Sequence, residues 1–179
     1  MAEQTTMTGQ TADAQPLTAV YRPANSAPAT WAMGSLFEQL LSARDSGGAL
    51  GMSLVTQPPG TATPLHRHTR EAEVFFLLDG SMTYQAGEQT FRLLPGDLIW
   101  LPVGLPHAFR VTGQVPVRFL GLTTPGDLMA LYDEVGIPAT ERRLPGDDGL
   151  PMGEEIARWN EVGPSYGLQV VGPPLPEEK

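Results

Sequence analysis

The chain contains no cysteine among its 179 residues, and only three of its residues are histidines. Without cysteine it can form no disulfide, use no thiol nucleophile and hold no thiolate-bound metal. This composition suits a reducing compartment, and we expect a cytoplasmic protein. Because only three imidazoles are present, any site that needs three of them must use every histidine of the chain.

Basic residues and long apolar runs are also scarce. The chain has eleven Lys and Arg residues and twenty Asp and Glu residues, which gives a formal net charge of −9. We therefore expect no nucleic-acid partner, since binding to phosphates requires clustered positive charge. No apolar run reaches the length that spans a membrane. Residues 1–15 are polar and Thr-rich, which is unlike a secretory signal.

Glycine and proline, in contrast, are abundant, with 20 and 18 copies. Short apolar runs separated by turn residues are typical of an antiparallel sandwich or barrel. We predict a disordered tail over residues 1–16, a β-barrel over residues 17–140 and a C-terminal extension over residues 141–179 that packs on the barrel. The periodicity of residues 127–135 and 153–162 predicts two short helices, and residues 173–176 read as a loose tail.

The three histidines form one metal-binding pattern with a glutamate. The chain reads Gly60-x5-His66-x-His68-x4-Glu73-x6-Gly80, followed by Gly96-x5-Pro102-x-Gly104-x2-His107. Imidazole and carboxylate bind divalent first-row metals. His66 and His68 would share one face of a strand, whereas Glu73 must follow a bend and His107 can converge only through the fold. The pattern predicts one divalent ion per chain, either Mn, Fe, Co, Ni, Cu or Zn.

Glu71 competes with Glu73 for the carboxylate position. Only Glu73 keeps the four-residue spacing of the pattern, so we assign the ligand to Glu73. We interpret Glu71 as a solvated loop acid or as a partner of Arg67 or Arg70.

The two half-patterns resemble the signature motifs of the cupin superfamily. Residues 66–76, together with 94–97, 103–110 and 123–127, are most similar to single-domain quercetin 2,3-dioxygenases. The resemblance implies an all-β cupin fold, a double-stranded β-helix or jelly-roll barrel, with one or two short C-terminal helices. It also favours a strand around Leu36–Leu41, where helical spacing alone would predict a helix. Val111 occupies a position where cupins often have Asn. Because that Asn does not bind the metal in the cupin pattern, the departure leaves the predicted ligand set unchanged.

By this resemblance the protein is a metal-dependent dioxygenase that opens a planar, enolisable aromatic such as a flavonol with O2. Glu73 would bind the metal and also take the proton from the substrate hydroxyl. Two alternatives stay open: a non-oxidative isomerase, lyase or polyketide-cyclase type of cupin, and a small-molecule-binding cupin without turnover. We also expect a homodimer, because the extended segment from Ala19 to Thr30, with Trp31 beyond it, could cross to a partner.

A set of apolar residues near the ligands predicts the substrate pocket. Phe75 follows Glu73 by two residues and Phe109 follows His107 by two, so each pair shares a strand face. The predicted pocket residues are Phe75, Trp100, Phe109, Phe119, Met52, Leu54 and Tyr84. Each of them could instead belong to the ordinary barrel core.

Overall fold

A computed structural model describes residues 18–177, and these residues form two facing antiparallel sheets. The predicted disordered tail over residues 1–16 lies outside the described residues. The strands span Ala29–Ala32 (β1), Ser35–Leu41 (β2), Gly51–Gln57 (β3), Pro64–His68 (β4), Ala72–Asp79 (β5), Met82–Ala86 (β6), Gln89–Leu93 (β7), Leu98–Leu101 (β8), His107–Val111 (β9), Val117–Thr124 (β10), Ile137–Pro138 (β11) and Leu168–Pro174 (β12). The all-β jelly-roll fold predicted from the sequence is confirmed.

The larger sheet has the strand order β11-β1-β2-β3-β10-β5-β8, and the smaller has β12-β4-β9-β6-β7. Side chains of both sheets meet in one core, whose fully buried members include Leu77, Met82, Leu101, Val111 and Val117. Non-sequential neighbours such as β4 and β9 explain how distant parts of the motif converge. The strands β9 and β10 follow one another in the chain but lie in different sheets and do not pair.

Two α-helices follow the barrel strands, as predicted. The first, α1, spans Met129–Val135 and buries Met129, Leu131 and Val135. The second, α2, spans Met152–Val162, and short 3₁₀ turns cover Gly146–Asp148 and Gly163–Tyr166. Within residues 18–177 no helix is both long and apolar enough to span a membrane.

Residues 173–176 correct one prediction, because they do not form a loose tail. Pro173 and Pro174 end β12, which pairs with β4 at the edge of the smaller sheet. An edge strand tolerates proline because one side of its backbone needs no hydrogen-bond donor. Arg110 then holds the chain beyond β12 by donating from Nε (3.0 Å) and Nη2 (2.6 Å) to the carbonyl of Leu175.

The segment before β2 is engaged within its own chain. Trp31 is 2% exposed, and its Nε1 donates to the carbonyl of Arg143 at 2.8 Å. Arg22 donates to the carbonyl of Leu40 and forms an ion pair with Asp45. Arg22 and Trp31 thus anchor the segment to its own barrel, and the homodimer stays a prediction.

Candidate metal centre

Four short turns place the motif residues. Gly60, Gly80, Gly96 and Gly104 all have positive φ angles of 79°, 83°, 97° and 81°. A side chain is disfavoured in that region, which explains the glycines of both half-patterns. At Gly80 a Cβ would also approach Cγ1 of Val117 to 2.7 Å.

The two half-patterns meet across neighbouring strands of the smaller sheet. His66 on β4 lies directly opposite His107 on β9. The turn before His107 is joined to the first half-pattern, because the Gly104 amide donates to the carbonyl of His68 at 2.8 Å. Glu73 enters from the larger sheet at the start of β5, after the chain bends between His68 and Ala72. The bend expected from the odd spacing is therefore present.

The four side chains converge in the barrel interior. One ligand atom from each of His66, His68, Glu73 and His107 lies within 4.8 Å of the other three. Their residues are 9%, 4%, 4% and 2% exposed. Ligand atoms held at about 2.1 Å from one ion would lie roughly 3 to 4 Å apart, so this spacing suits a single metal ion.

Backbone carbonyls orient two of the rings. Nδ1 of His66 bonds the carbonyl of Pro64 at 2.7 Å, and Nδ1 of His107 bonds that of Leu105 at 2.9 Å. A histidine that donates from Nδ1 presents Nε2 as a lone-pair ligand, which is the usual arrangement around protein metals. The donor set therefore fits a divalent transition metal.

The electrostatics of the cluster favour the neutral form of His66 and the ionised form of Glu73. Burial, reinforced by the nearby His107, lowers the pKa of His66 to about 4. Burial opposes ionisation of Glu73, but His68 and His107 outweigh it and hold the pKa of Glu73 well below its usual range. Oε2 of Glu73 lies 3.1 Å from Nε2 of each of these two histidines. Neutral His66 and ionised Glu73 are the states that metal binding requires. At His68 burial is outweighed by Glu73, which raises the pKa of His68, so a metal ion would have to displace a proton there.

Glu71 differs from our interpretation of it as a solvated acid. It is 3% exposed, and its Oε2 accepts no hydrogen bond from the described residues. Burial raises the pKa of Glu71, against the opposing effects of His68 and Arg70. Arg67 does not pair with it, since its Nε donates to Gln169 instead. The chain bend that carries Glu73 inward also buries Glu71.

A cavity of about 570 Å³ opens beside the four ligands. Phe75, Phe109 and Phe119 line it, and their ring centroids lie 5.2 to 6.5 Å apart. Helix α2 and strand β12 close one side through Ile156, Trp159 and other residues. This volume is typical of small-molecule sites.

The structure places the other four predicted pocket residues elsewhere. Trp100 is 59% exposed on the outer surface, and Met52 and Leu54 also face outward, because they alternate with the inward Ser53 and Val55. Tyr84 is fully buried in the core behind the lining, with its ring 5.3 Å from those of Phe75 and Phe109. Alternation along a strand shows which residues share a face but does not show which face is inside.

The comparisons with known proteins agree with this architecture. Residues 53–123 match the family model described as Cupin domain. Quercetin 2,3-dioxygenase of Bacillus subtilis is 28% identical over 99 residues, which is 55% of this chain and 29% of that protein. An uncharacterized protein of Methanocaldococcus jannaschii is 30% identical over 95 residues, which is 51% of this chain and 74% of that protein. The chain thus spans less than a third of the dioxygenase.

One solved structure supports the fold. The crystal structure of a predicted oxalate decarboxylase from Thermotoga maritima has a TM-score of 0.53 and 22% identity, covering 60% of this chain and 99% of that one. The chain belongs to the cupin superfamily. Its matched relatives include enzymes as well as auxin-binding and oxalate-binding proteins.

Proposed function

We propose that this cupin is a metal-dependent dioxygenase that opens a neutral, planar, enolisable aromatic, with a flavonol as the best single guess. One observation carries the proposal: a buried three-histidine, one-glutamate cluster faces a cavity with aromatic walls. The distant likeness to a quercetin dioxygenase points in the same direction.

The charge of the cavity supports a neutral substrate. Of the described residues that line it, none is Lys or Arg, and the only acid is Glu73. A carboxylate or phosphate group would find no positively charged side chain there, and burying an unpaired charge is costly. Apolar rings, in contrast, would pack against the three phenylalanines of the lining.

Within this proposal His66, His68, Glu73 and His107 hold the ion. A bound divalent ion would act as a Lewis acid that favours the ionised form of a coordinated hydroxyl. Three neutral imidazoles add no charge, so only Glu73 reduces the positive charge of the centre. Glu73 is ionised and can accept the proton of the substrate hydroxyl at a carboxylate oxygen. The apolar walls keep water away from the reacting oxygen atoms.

The test is a metal-loading series followed by an oxygen assay. Purified protein loaded separately with Mn, Fe, Co, Ni, Cu or Zn is mixed with a flavonol, while oxygen uptake and flavonol absorbance are both recorded. We expect uptake that depends on the metal and matches flavonol loss. Metal-dependent turnover without oxygen uptake would instead support an isomerase, lyase or cyclase, and ligand binding without turnover would support a binding protein.

A further inference from the structure

Gln57 is a buried polar side chain that the proposed reaction does not use. It ends β3, faces inward like Val55, and lines the cavity although it is only 6% exposed. Its Oε1 accepts no hydrogen bond from any residue that the structure describes. A buried polar atom without a partner is unfavourable by about 1–3 kcal/mol, so such atoms call for an explanation.

The strand register of the larger sheet places Gln57 far from Glu73. Thr123 of β10 pairs with both Gly51 and Glu73, whereas Gln57 pairs with Val117. Gln57 therefore lies six residues beyond the level of Glu73, or about 20 Å along the strand. The cavity-lining side chains of β3, β10 and β5 between these two levels are apolar, and they include Val55, Phe75 and Phe119. The cavity thus has a metal-binding end, an aromatic middle and a carboxamide at its far end.

We propose that Gln57 binds a hydroxyl group at the end of the ligand remote from the metal. This rests on the proposed function in that the cavity is taken to hold the substrate. The matching ligand is an elongated molecule of several rings, with oxygen atoms for the metal at one end and a hydrogen-bond donor at the other. Gln57 is then a specificity residue, because a ligand without the donor leaves Oε1 unpaired.

A matched pair of small probes tests this without oxygen or metal. Phenol and toluene differ in one hydroxyl, and ligand-observed NMR measures the affinity of each for the metal-free protein. In Gln57→Leu we expect the preference for phenol over toluene to fall about 3- to 10-fold relative to the wild type, the value of one hydrogen bond. Gln57→Met provides a second variant if Gln57→Leu does not fold.

Gln39→Leu is the matched control, because Gln39 bonds Asp133 and does not line the cavity. It should keep the wild-type preference. Equal preferences in the wild type and both Gln57 variants, or no binding of either probe to the wild type, would overturn the proposal. Because this test measures binding and not turnover, its result does not depend on the outcome of the flavonol assay.

A second observation concerns the outer face of the larger sheet. Four neighbouring strands, β3, β10, β5 and β8, carry outward side chains that are apolar in their central part, where they lie in register, and polar towards the strand ends. The central apolar residues are Met52, Leu54, Leu120, Leu122, Val74, Phe76, Leu98 and Trp100. Six of them are half-buried, and Leu98 and Trp100 are 60% and 59% exposed. We call these eight residues the apolar sheet face.

Among the described residues nothing covers the part of this face formed by Leu98 and Trp100, since both side chains are largely exposed. Four strands span about 14 Å between the outer two, and contiguous apolar patches of this size mark interaction sites. Residues 1–17 contain only Met1, Met7 and Leu17 as large apolar residues. The face itself carries no charge, so two copies can meet there although each has a net charge of −9. Arg118 and Asp79 form an ion pair at its edge, as expected for a polar rim.

We infer that the apolar sheet face binds the same face of a second copy about a two-fold axis. Such sheet-on-sheet packing buries both faces at once. This inference does not depend on the proposed dioxygenase activity. It assigns the interface of the predicted homodimer to the apolar sheet face.

Sedimentation analysis across micromolar concentrations tests it with Trp100→Glu and Leu98→Glu. Both side chains are exposed, so the variants should fold, which circular dichroism verifies. We expect a dimeric wild type and at least about 100-fold weaker association in each variant. Val115→Glu is the control, since Val115 is 58% exposed but lies outside the face, and it should stay dimeric. A monomeric wild type, or a dimer unaffected by both substitutions, would overturn the inference.

Discussion

The two faces of the larger sheet are both apolar but have different surroundings. On β5, Glu73 and Phe75 point into the barrel, where they meet the histidines and the aromatic rings. Their neighbours Val74 and Phe76 point outward onto the apolar sheet face. Hydrophobicity is thus similar on both faces, and only the polar residues among the inward set reveal the site. Substitutions on the inner face should change metal binding, ligand binding or turnover, whereas substitutions on the outer face should change self-association.

The largest loss of metal binding and turnover is expected for His107→Ala, which removes a candidate ligand on β9 of the smaller sheet. Metal content and turnover should both fall to background, because three ligands with a gap bind an ion weakly. The fold should persist, since the hydrophobic core of the barrel is formed by other residues. Elemental analysis and circular dichroism measure the two effects. Global unfolding without metal would contradict this and indicate a structural ion.

Glu73→Gln should separate metal binding from proton transfer. The amide can keep a weak contact with the ion but cannot accept the substrate proton, so turnover should fall about 100-fold or more. Metal occupancy should fall far less than turnover, as elemental analysis of the same sample would show. Near-normal turnover would mean that Glu73 is not the base.

Adjacent phenylalanines on β5 provide a direct comparison of the two faces. Phe75→Ala should weaken flavonol binding about tenfold, because it removes one ring from the cavity wall. Phe76→Ala should leave that affinity unchanged and weaken self-association instead. Fluorescence titration and sedimentation measure the two quantities. Equal effects of both variants on flavonol affinity would contradict the assignment of faces.

The smallest effect is expected at Glu155, the buried acid of α2. It is 2% exposed and accepts a hydrogen bond from the Met33 amide at 2.9 Å. Burial raises its pKa, so its contribution to stability is present at acid pH and is lost as pH rises through the folded-state pKa. Glu155→Gln should therefore raise stability relative to the wild type near neutral pH, by less than about 1 kcal/mol, and give no gain at acid pH.

Thermal unfolding at several pH values measures that difference, and Glu154→Gln is its control. Glu154 is exposed and pairs with Arg158. It should change stability little at any pH. An equal gain for Glu155→Gln at acid and neutral pH would show that the charge of Glu155 is not responsible.

Sequence reasoning located the candidate ligands well, because their spacing is unusual and no other histidine competes with them. It also located the strand at Leu36–Leu41 against its helical spacing, and both helices. It missed β12, since Pro173 and Pro174 suggest a tail and only an edge position allows them in a strand. No local signal in the sequence marks Gln57 as buried. The division of the chain at residues 16 and 140 stays a prediction.

The sequence by itself determined the candidate ligand set and the turns that separate the strands. Both depend on local chemistry, because glycine adopts positive φ angles and imidazole and carboxylate are metal-binding groups that can be recognised by their spacing. Only the tertiary structure decided that Met52, Leu54 and Trp100 face outward, that Glu71 is buried, and that Gln57 shares a cavity with Glu73. The physical reason is that strand alternation determines relative facing, whereas the inner face depends on which distant strands pair and where the second sheet packs.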